Sequence, residues 1–211
     1  MNALNVIKKL KLLPVIEAPD ADVSEKLSAA LCAGGLPAAE ITFRTPCAEE
    51  VIRRMKAVCP QMTVGAGTII SREGAEKAAK AGAEFIVGPG FSDAVAEFCN
   101  AAQITYIPGC VTATEIIRAL EHGIYTVKFF PAGTEGGPAA IKALAAPFPD
   151  VSFMPTGGVN AGNLREYLTV PAVIACGGSW IAEKRLLAAG DFAEIEKRCR
   201  EAADIVSGAC Q

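Results

Sequence analysis

The stretch Tyr125-Thr126-Val127-Lys128-Phe129-Phe130-Pro131 sets one lysine in a short apolar run of strand-forming residues. If that run is a buried strand, the ammonium must be paired, reach water at the strand end, or lose its proton. Only the neutral amine attacks a carbonyl, so Lys128 is the candidate Schiff-base nucleophile of this chain. The alternative is a strand-end lysine whose stem packs while its head stays in water. A second run, Ala39-Glu40-Ile41-Thr42-Phe43-Arg44, alternates in character. Side chains alternate along a strand, so Glu40, Thr42 and Arg44 share one face and Ile41 and Phe43 the other. A private Glu40–Arg44 ion pair would be the plain reading of that face.

Which reading applies depends on the elements that carry these residues. Strand-like apolar runs alternate with helical patterns about every 20 residues or a little more, a βα rhythm. The expected strands are Leu12–Glu17, Ala39–Arg44, Thr63–Thr68, Glu84–Gly88, Ile104–Gly109, Tyr125–Phe130, Ser152–Thr156 and Ala172–Cys176. Between them the periodicity predicts helices over Asp22–Ala33, Ala48–Val58, Arg72–Ala81, Asp93–Ala102, Ala113–His122, Gly137–Ala145 and Asn160–Leu168, with a last one over Phe192–Val206. Gly34, Gly82 and Gly123 close three of them. Asn2–Leu10 is expected as a helix over the floor of the sheet. Eight βα units in one chain of 211 residues indicate an α/β fold, a single-domain (β/α)8 TIM barrel spanning 1–211. A doubly wound open sheet is the rival. Glycine and proline recur at the ends of the strands, and no Gly-x-Gly-x-x-Gly follows the first strand, which favours the barrel.

In a barrel the apolar face of each strand meets the helices. Glu40, Arg44, Thr126, Lys128 and Phe130 then point inward, near the rim where barrel active sites lie. An acid, a guanidinium and an amine gathered in one interior are unfavourable unless a polar ligand uses them, which shifts the reading of Lys128 toward chemistry. Two glycine pairs follow the seventh and eighth strands, in Pro155-Thr156-Gly157-Gly158-Val159 and Cys176-Gly177-Gly178-Ser179-Trp180. Loops at those two places commonly cradle phosphate with bare backbone N–H groups and a helix N-terminus, and Ser179 adds a hydroxyl expected near a helix start. Tight turns are the alternative use of Gly-Gly.

Composition narrows the function classes. Hydrophobic residues make up 51% of the chain and charged residues 20%, with a net charge of −3. That is a globular chain with no basic stripe for nucleic acid and no polybasic membrane patch. No apolar run approaches the ~18 residues that cross a bilayer, and the N-terminus lacks signal-peptide order, so a cytoplasmic protein is expected. The cysteines at 32, 47, 59, 99, 110, 176, 199 and 210 show no zinc spacing and, with His122 as the one histidine, read as small buried hydrophobes and occasional surface thiols. His122 is expected at a helix end, interacting with the dipole.

The motifs Glu-Ile-Thr-Phe-Arg-Thr (40–45), Val-Gly-Ala-Gly-Thr (64–68), Lys-Phe-Phe-Pro (128–131), Pro-Thr-Gly-Gly-Val (155–159) and Gly-Gly-Ser-Trp (177–180) resemble the 2-keto-3-deoxy-6-phosphogluconate (KDPG) and 4-hydroxy-2-oxoglutarate (KHG) aldolases over nearly the whole chain. The resemblance implies a (β/α)8 barrel, commonly a homotrimer, working as a class I aldolase without metal or organic cofactor. KDPG would give pyruvate and glyceraldehyde 3-phosphate, and KHG would give pyruvate and glyoxylate. By position, Lys128 looks like the imine-forming lysine and Glu40 like the general acid/base. Arg44 and Thr68 are similar to residues that bind the carboxylate and keto acid. Thr156 would touch the substrate near the breaking bond, and Gly157, Gly158, Gly178 and Ser179 resemble the phosphate pocket. Pro89 and Phe130 complete the implied substrate-binding set. Trp180 is expected to pack.

Two positions depart from the family pattern. Glu17 stands where many relatives carry a neutral or basic residue, and Gly88 where a serine often precedes Pro-Gly. Both bear on substrate preference and catalytic efficiency rather than on imine chemistry. An arginine at position 44 places the chain outside the galactonate-specific group. Two other functions fit parts of the pattern: a phosphosugar isomerase or epimerase on the same barrel, and a non-catalytic barrel that binds an anionic metabolite.

Overall fold

The computed structural model describes residues 2–209; Cys210, expected among the cysteines above, lies outside them. Eight strands alternate with helices: β1 (Leu12–Ile16), β2 (Ala38–Thr42), β3 (Thr63–Gly67), β4 (Phe85–Val87), β5 (Thr105–Ile107), β6 (Thr126–Phe129), β7 (Ser152–Pro155) and β8 (Cys176–Gly178). The helices are α1 (Ala3–Leu10), α2 (Ser24–Ala33), α3 (Ala48–Val58), α4 (Arg72–Lys80), α5 (Asp93–Ala102), α6 (Ala113–Glu121), α7 (Gly137–Ala145), α8 (Leu164–Leu168), α9 (Lys184–Ala189) and α10 (Phe192–Ala209). Local chemistry explains several starts. Asn2 caps α1, Ser71 caps α4, and Thr112 with Glu115 forms a capping box on α6.

All strand pairings are parallel. Six strands form one curled sheet in the order β5-β4-β3-β2-β1-β8, and β6 pairs with β7 as a two-stranded ribbon. Isolated bridges join the ribbon to the sheet, Gly109 to Lys128 on one side, Phe153 to Val173 and Thr156 to Gly177 on the other. The uninterrupted ring of eight expected from the sequence is therefore reduced to isolated bridges at two seams, one at the first and two at the second. Pro108, which lacks a donor, lies at the first seam and accepts there from the Lys128 amide at 2.7 Å.

Two apolar clusters show how the pleat sorts side chains. Leu12, Ile16, Ile41, Val64, Ile86, Val127 and Phe129 belong to the larger cluster, shared with the helices. Alternate residues Leu13, Ala38, Phe85, Val87, Ile107 and Met154 form the smaller, inner cluster, joined by Ala3 and Ile7 of α1. α1 thus closes the floor of the curl, as expected, and Asn2 accepts from Thr105 at the start of β5. Above that apolar floor the inner face turns polar: Glu40, Thr42, Lys128 and Thr156 are all buried.

Boundaries moved at informative places. β2 stops at Thr42, leaving Arg44 in a turn rather than in the strand. β8 begins at Cys176, where the sequence reading ended it, because Cys176 is the first residue to find β1 as a partner, at Leu12. Asn160, expected to open α8, instead accepts from the Gly162 amide in a turn, and the helix starts at Leu164. α9 was not anticipated. Gly34 keeps a helical conformation, and the left-handed residue after α2 is Gly35.

Candidate active site

Lys128 is the third residue of β6, and its register puts it opposite Met154 of β7. Val127 and Phe129 enter the outer cluster, so Lys128 has to face inward. On β2, Ile41 enters the same outer cluster and sends Glu40 inward. The two meet: Lys128 Nζ donates to Glu40 Oε1 at 3.2 Å, with 5% of the lysine and none of the glutamate exposed. The amine also lies 5.3 Å from the centre of the Phe130 ring, which covers it. A buried ion pair brings little net stability, because removing both groups from water offsets their attraction. An amine and a carboxyl at hydrogen-bond distance can exchange protons during attack on a carbonyl.

The pair is not self-sufficient. Glu40 Oε2 is buried with no hydrogen-bond partner among the described residues, and so is Thr156 Oγ1. Two polar atoms without partners, one on β2 and one just past the end of β7, leave hydrogen-bonding capacity for a polar ligand. Glycine makes room for both side chains. A Cβ on Gly67 would lie 2.1 Å from Glu40 Oε1, and one on Gly177 would lie 2.3 Å from Thr156 Oγ1. Bare positions on neighbouring strands thus serve clearance, Gly67 of β3 for Glu40 and Gly177 of β8 for Thr156.

At the rim, Arg44 Nε donates to Thr68 Oγ1 at 3.2 Å. Thr68 has φ +61°, a conformation rare for threonine, and such backbone concentrates at functional sites. Glu17 follows β1 on its inward face and lies near Arg44, with Oε2 3.7 Å from a terminal nitrogen. A cavity of about 230 Å³ at this mouth reaches Glu17, Thr42, Arg44, Ser179 and Lys184. A larger one, about 330 Å³, lies beyond Thr68 toward Pro46 and Lys77. The smaller is the more relevant, since it opens over Thr42, on the same face of β2 as Glu40, and gathers charged groups from three segments.

The remaining sequence-predicted residues divide. Gly157 and Gly158 follow β7 with φ +85° and +82°, on the turn that returns to Gly133. Gly178 ends β8 under the Trp180 ring, so its lack of a side chain serves packing as well as any anion. Ser179 is exposed beside it, but α9 begins only at Lys184, so its hydroxyl is not at a helix start. Trp180 is partly buried against the outer cluster, as expected. Pro89 is exposed on the loop after β4. Gly88, the second departure, is crowded by Gly90 O and by the Tyr106 hydroxyl, at 2.7 and 2.9 Å from a notional Cβ, and that hydroxyl donates to Gly90 O. Tyr106 occupies the space a serine would need. His122 caps α6 and pairs with Asp93 at 3.1 Å, a structural role. Sequence reasoning missed Lys184 and the clearance role of Gly67 and Gly177. The alternation of bare residues on the inward face of β3 was the available signal for Gly67.

Comparisons with known proteins identify the family. The profile of the "KDPG and KHG aldolase" family matches residues 4–198. The 2-dehydro-3-deoxy-phosphogluconate aldolase of Treponema pallidum is 42% identical over 200 residues, 95% of each chain. The KDPG aldolase of Zymomonas mobilis ZM4, solved with 3-phosphoglycerate, superposes with a TM-score of 0.89 at 36% identity, over 96% of this chain and 95% of the other. The KDPG aldolase of Legionella pneumophila, solved with pyruvate captured as a covalent carbinolamine intermediate, superposes with a TM-score of 0.92 at 33% identity, over 96% and 98%. A parallel α/β scaffold, an inward amine beside a carboxyl and a match across almost the entire length leave one assignment: the chain belongs to the KDPG and KHG aldolase family.

Proposed function

We propose that this protein is a class I aldolase that cleaves KDPG to pyruvate and glyceraldehyde 3-phosphate, and KHG to pyruvate and glyoxylate. The observation that carries this reading is the buried Lys128 amine 3.2 Å from the Glu40 carboxyl. Neutral Lys128 Nζ attacks the C2 keto carbon, and Glu40 supplies the proton that converts the carbonyl oxygen to the carbinolamine hydroxyl. Loss of water gives the iminium. A base then takes the C4 hydroxyl proton, the C3–C4 bond breaks, and its electron pair runs into the iminium nitrogen, releasing the aldehyde and leaving an enamine. Protonation at C3 and hydrolysis return pyruvate and the free amine. Glu40 is the general acid/base for these transfers, and its unpartnered Oε2 is free for a water or a substrate hydroxyl. The iminium is the electron sink, so the proposed reaction uses neither metal nor organic cofactor.

Arg44 holds the substrate carboxylate, since its planar fork matches two oxygens, with Thr68 orienting the guanidinium. Thr156 contacts the substrate near C4. The backbone of Gly157, Gly158 and Gly178, with Ser179, takes the phosphoryl group, and Pro89 and Phe130 wall the pocket. The eight strands act as one closed (β/α)8 barrel, a single domain over 1–211, for which the three bridges at the seams are the support. The enzyme works in the cytoplasm as a homotrimer; light scattering at three times 21.9 kDa tests the subunit count. Borohydride reduction with pyruvate tests the chemistry: mass mapping is expected to find the reduced adduct on Lys128, and an adduct on another lysine, or none, refutes the assignment.

A further inference from the structure

Glu17 sits between two cations. Its Oε1 is 2.6 Å from Lys184 Nζ and its Oε2 is 3.7 Å from Arg44. The acid is the sheltered member, 21% exposed in its side chain against 50% for Arg44 and 67% for Lys184, so it is the fixed point about which the cations arrange. All three line the mouth cavity together with Ser179. Glu183 lines it too, but Arg198 and Arg185 engage its carboxylate, at 3.0 and 2.9 Å. Glu17, Arg44 and Lys184 are thus the charges left to meet a ligand there.

The two contacts differ in kind. Arg44 is beyond hydrogen-bond reach of Glu17, so its terminal nitrogens keep their donors for a carboxylate. Lys184 is within reach and already neutralised. With a keto-acid carboxylate on Arg44, the other end of the substrate meets a neutral Glu17–Lys184 pair, with Ser179 beside it. A tail ending in one carboxylate loses little from that arrangement. A doubly charged phosphoryl tail loses the free cation that Lys184 would otherwise supply.

We propose that Glu17 is a specificity-determining residue that meters the negative charge accepted in the substrate's tail, narrowing the preference for a phosphoryl terminus over a carboxylate one. The inference rests on the aldolase reading of the site.

The test is steady-state kinetics with KDPG and KHG on the full-length enzyme, Glu17→Gln, Lys184→Gln and the double variant. Glu17→Gln is expected to lower KM for KDPG by about three- to tenfold and KM for KHG by less than about twofold, with the change appearing in KM rather than kcat. The gain should shrink at about 0.5 M salt, where the Debye length approaches the contact distance. Lys184→Gln exposes the Glu17 charge and should raise KM for KDPG, while the double variant, which deletes a neutral pair, should return toward the native KM ratio. An unchanged KM ratio in Glu17→Gln, or a double variant whose KM ratio stays at that of Lys184→Gln, overturns the inference. If the native enzyme turns over both substrates, that result strikes Glu17 alone. If it releases pyruvate from neither and takes no borohydride label, the aldolase reading falls and this inference with it.

Discussion

Replacing Gly67 by alanine should disable Glu40 without touching it. The new methyl would lie 2.1 Å from Oε1 and 2.6 Å from Cγ, whereas ordinary contacts begin at 3.4 Å. The carboxyl would have to withdraw by roughly 1 Å or more, and nothing in the packed interior yields that distance freely. Its 3.2 Å hydrogen bond to Lys128 would then be lost. A displacement of about 1 Å costs on the order of 100-fold in rate where reacting groups must align, and loss of general acid–base help is of similar size. Overpacking should also lower stability by about 1–3 kcal/mol. Gly65→Ala is the control, because its methyl would meet the Phe85 ring, at 2.5 Å, and not Glu40. The assay is pyruvate release coupled to lactate dehydrogenase, with the rate of borohydride-trapped adduct formation measured in parallel and both variants checked for folding by thermal denaturation. The expected result is two variants of comparable stability loss, of which Gly67→Ala alone has lost imine formation. A folded Gly67→Ala enzyme with turnover within about threefold of native would contradict this expectation, since Glu40 cannot keep its present position beside the new methyl.

Ser179→Ala should raise KM for KDPG more than for KHG; equal effects in paired kinetics would move the phosphate site elsewhere. Burial pushes the thiols of Cys99, Cys110, Cys176 and Cys199 up to about 12, so a short iodoacetamide treatment at pH 8 should leave all four unlabelled until urea is added. Peptide mapping reads this directly, and rapid label on any of the four in folded protein contradicts the packing. Arg118, then His122, holds the Asp93 carboxyl below its ordinary value of 3.8, a depressed acid whose contribution is present above that value and lost as pH falls through the folded one. Arg118→Gln should therefore lower Tm slightly at neutral pH, with the difference closing below about pH 4. A difference that grows on acidification would show that another group is responsible.

The parts of this protein that depend on neighbours in sequence were legible there. Alternation along Ala39–Arg44 and Tyr125–Phe130 put Glu40 and Lys128 on inward faces, because a side chain's direction on a strand is set by its position relative to the next residue. Helix starts at Ala48, Arg72, Asp93, Ala113, Gly137 and Phe192 followed from periodicity and local turn or capping residues. Tertiary structure alone decided how far each strand runs and what meets across the interior. Glu40 and Lys128 are 88 residues apart, and only the curvature of the sheet brings their polar atoms to 3.2 Å. The need for a bare Gly67 beside Glu40, the Tyr106 hydroxyl in the space over Gly88, and the Glu17–Lys184 contact all depend on distances between separate βα units. No periodicity encodes such distances, because they arise from how every layer of the core packs at once.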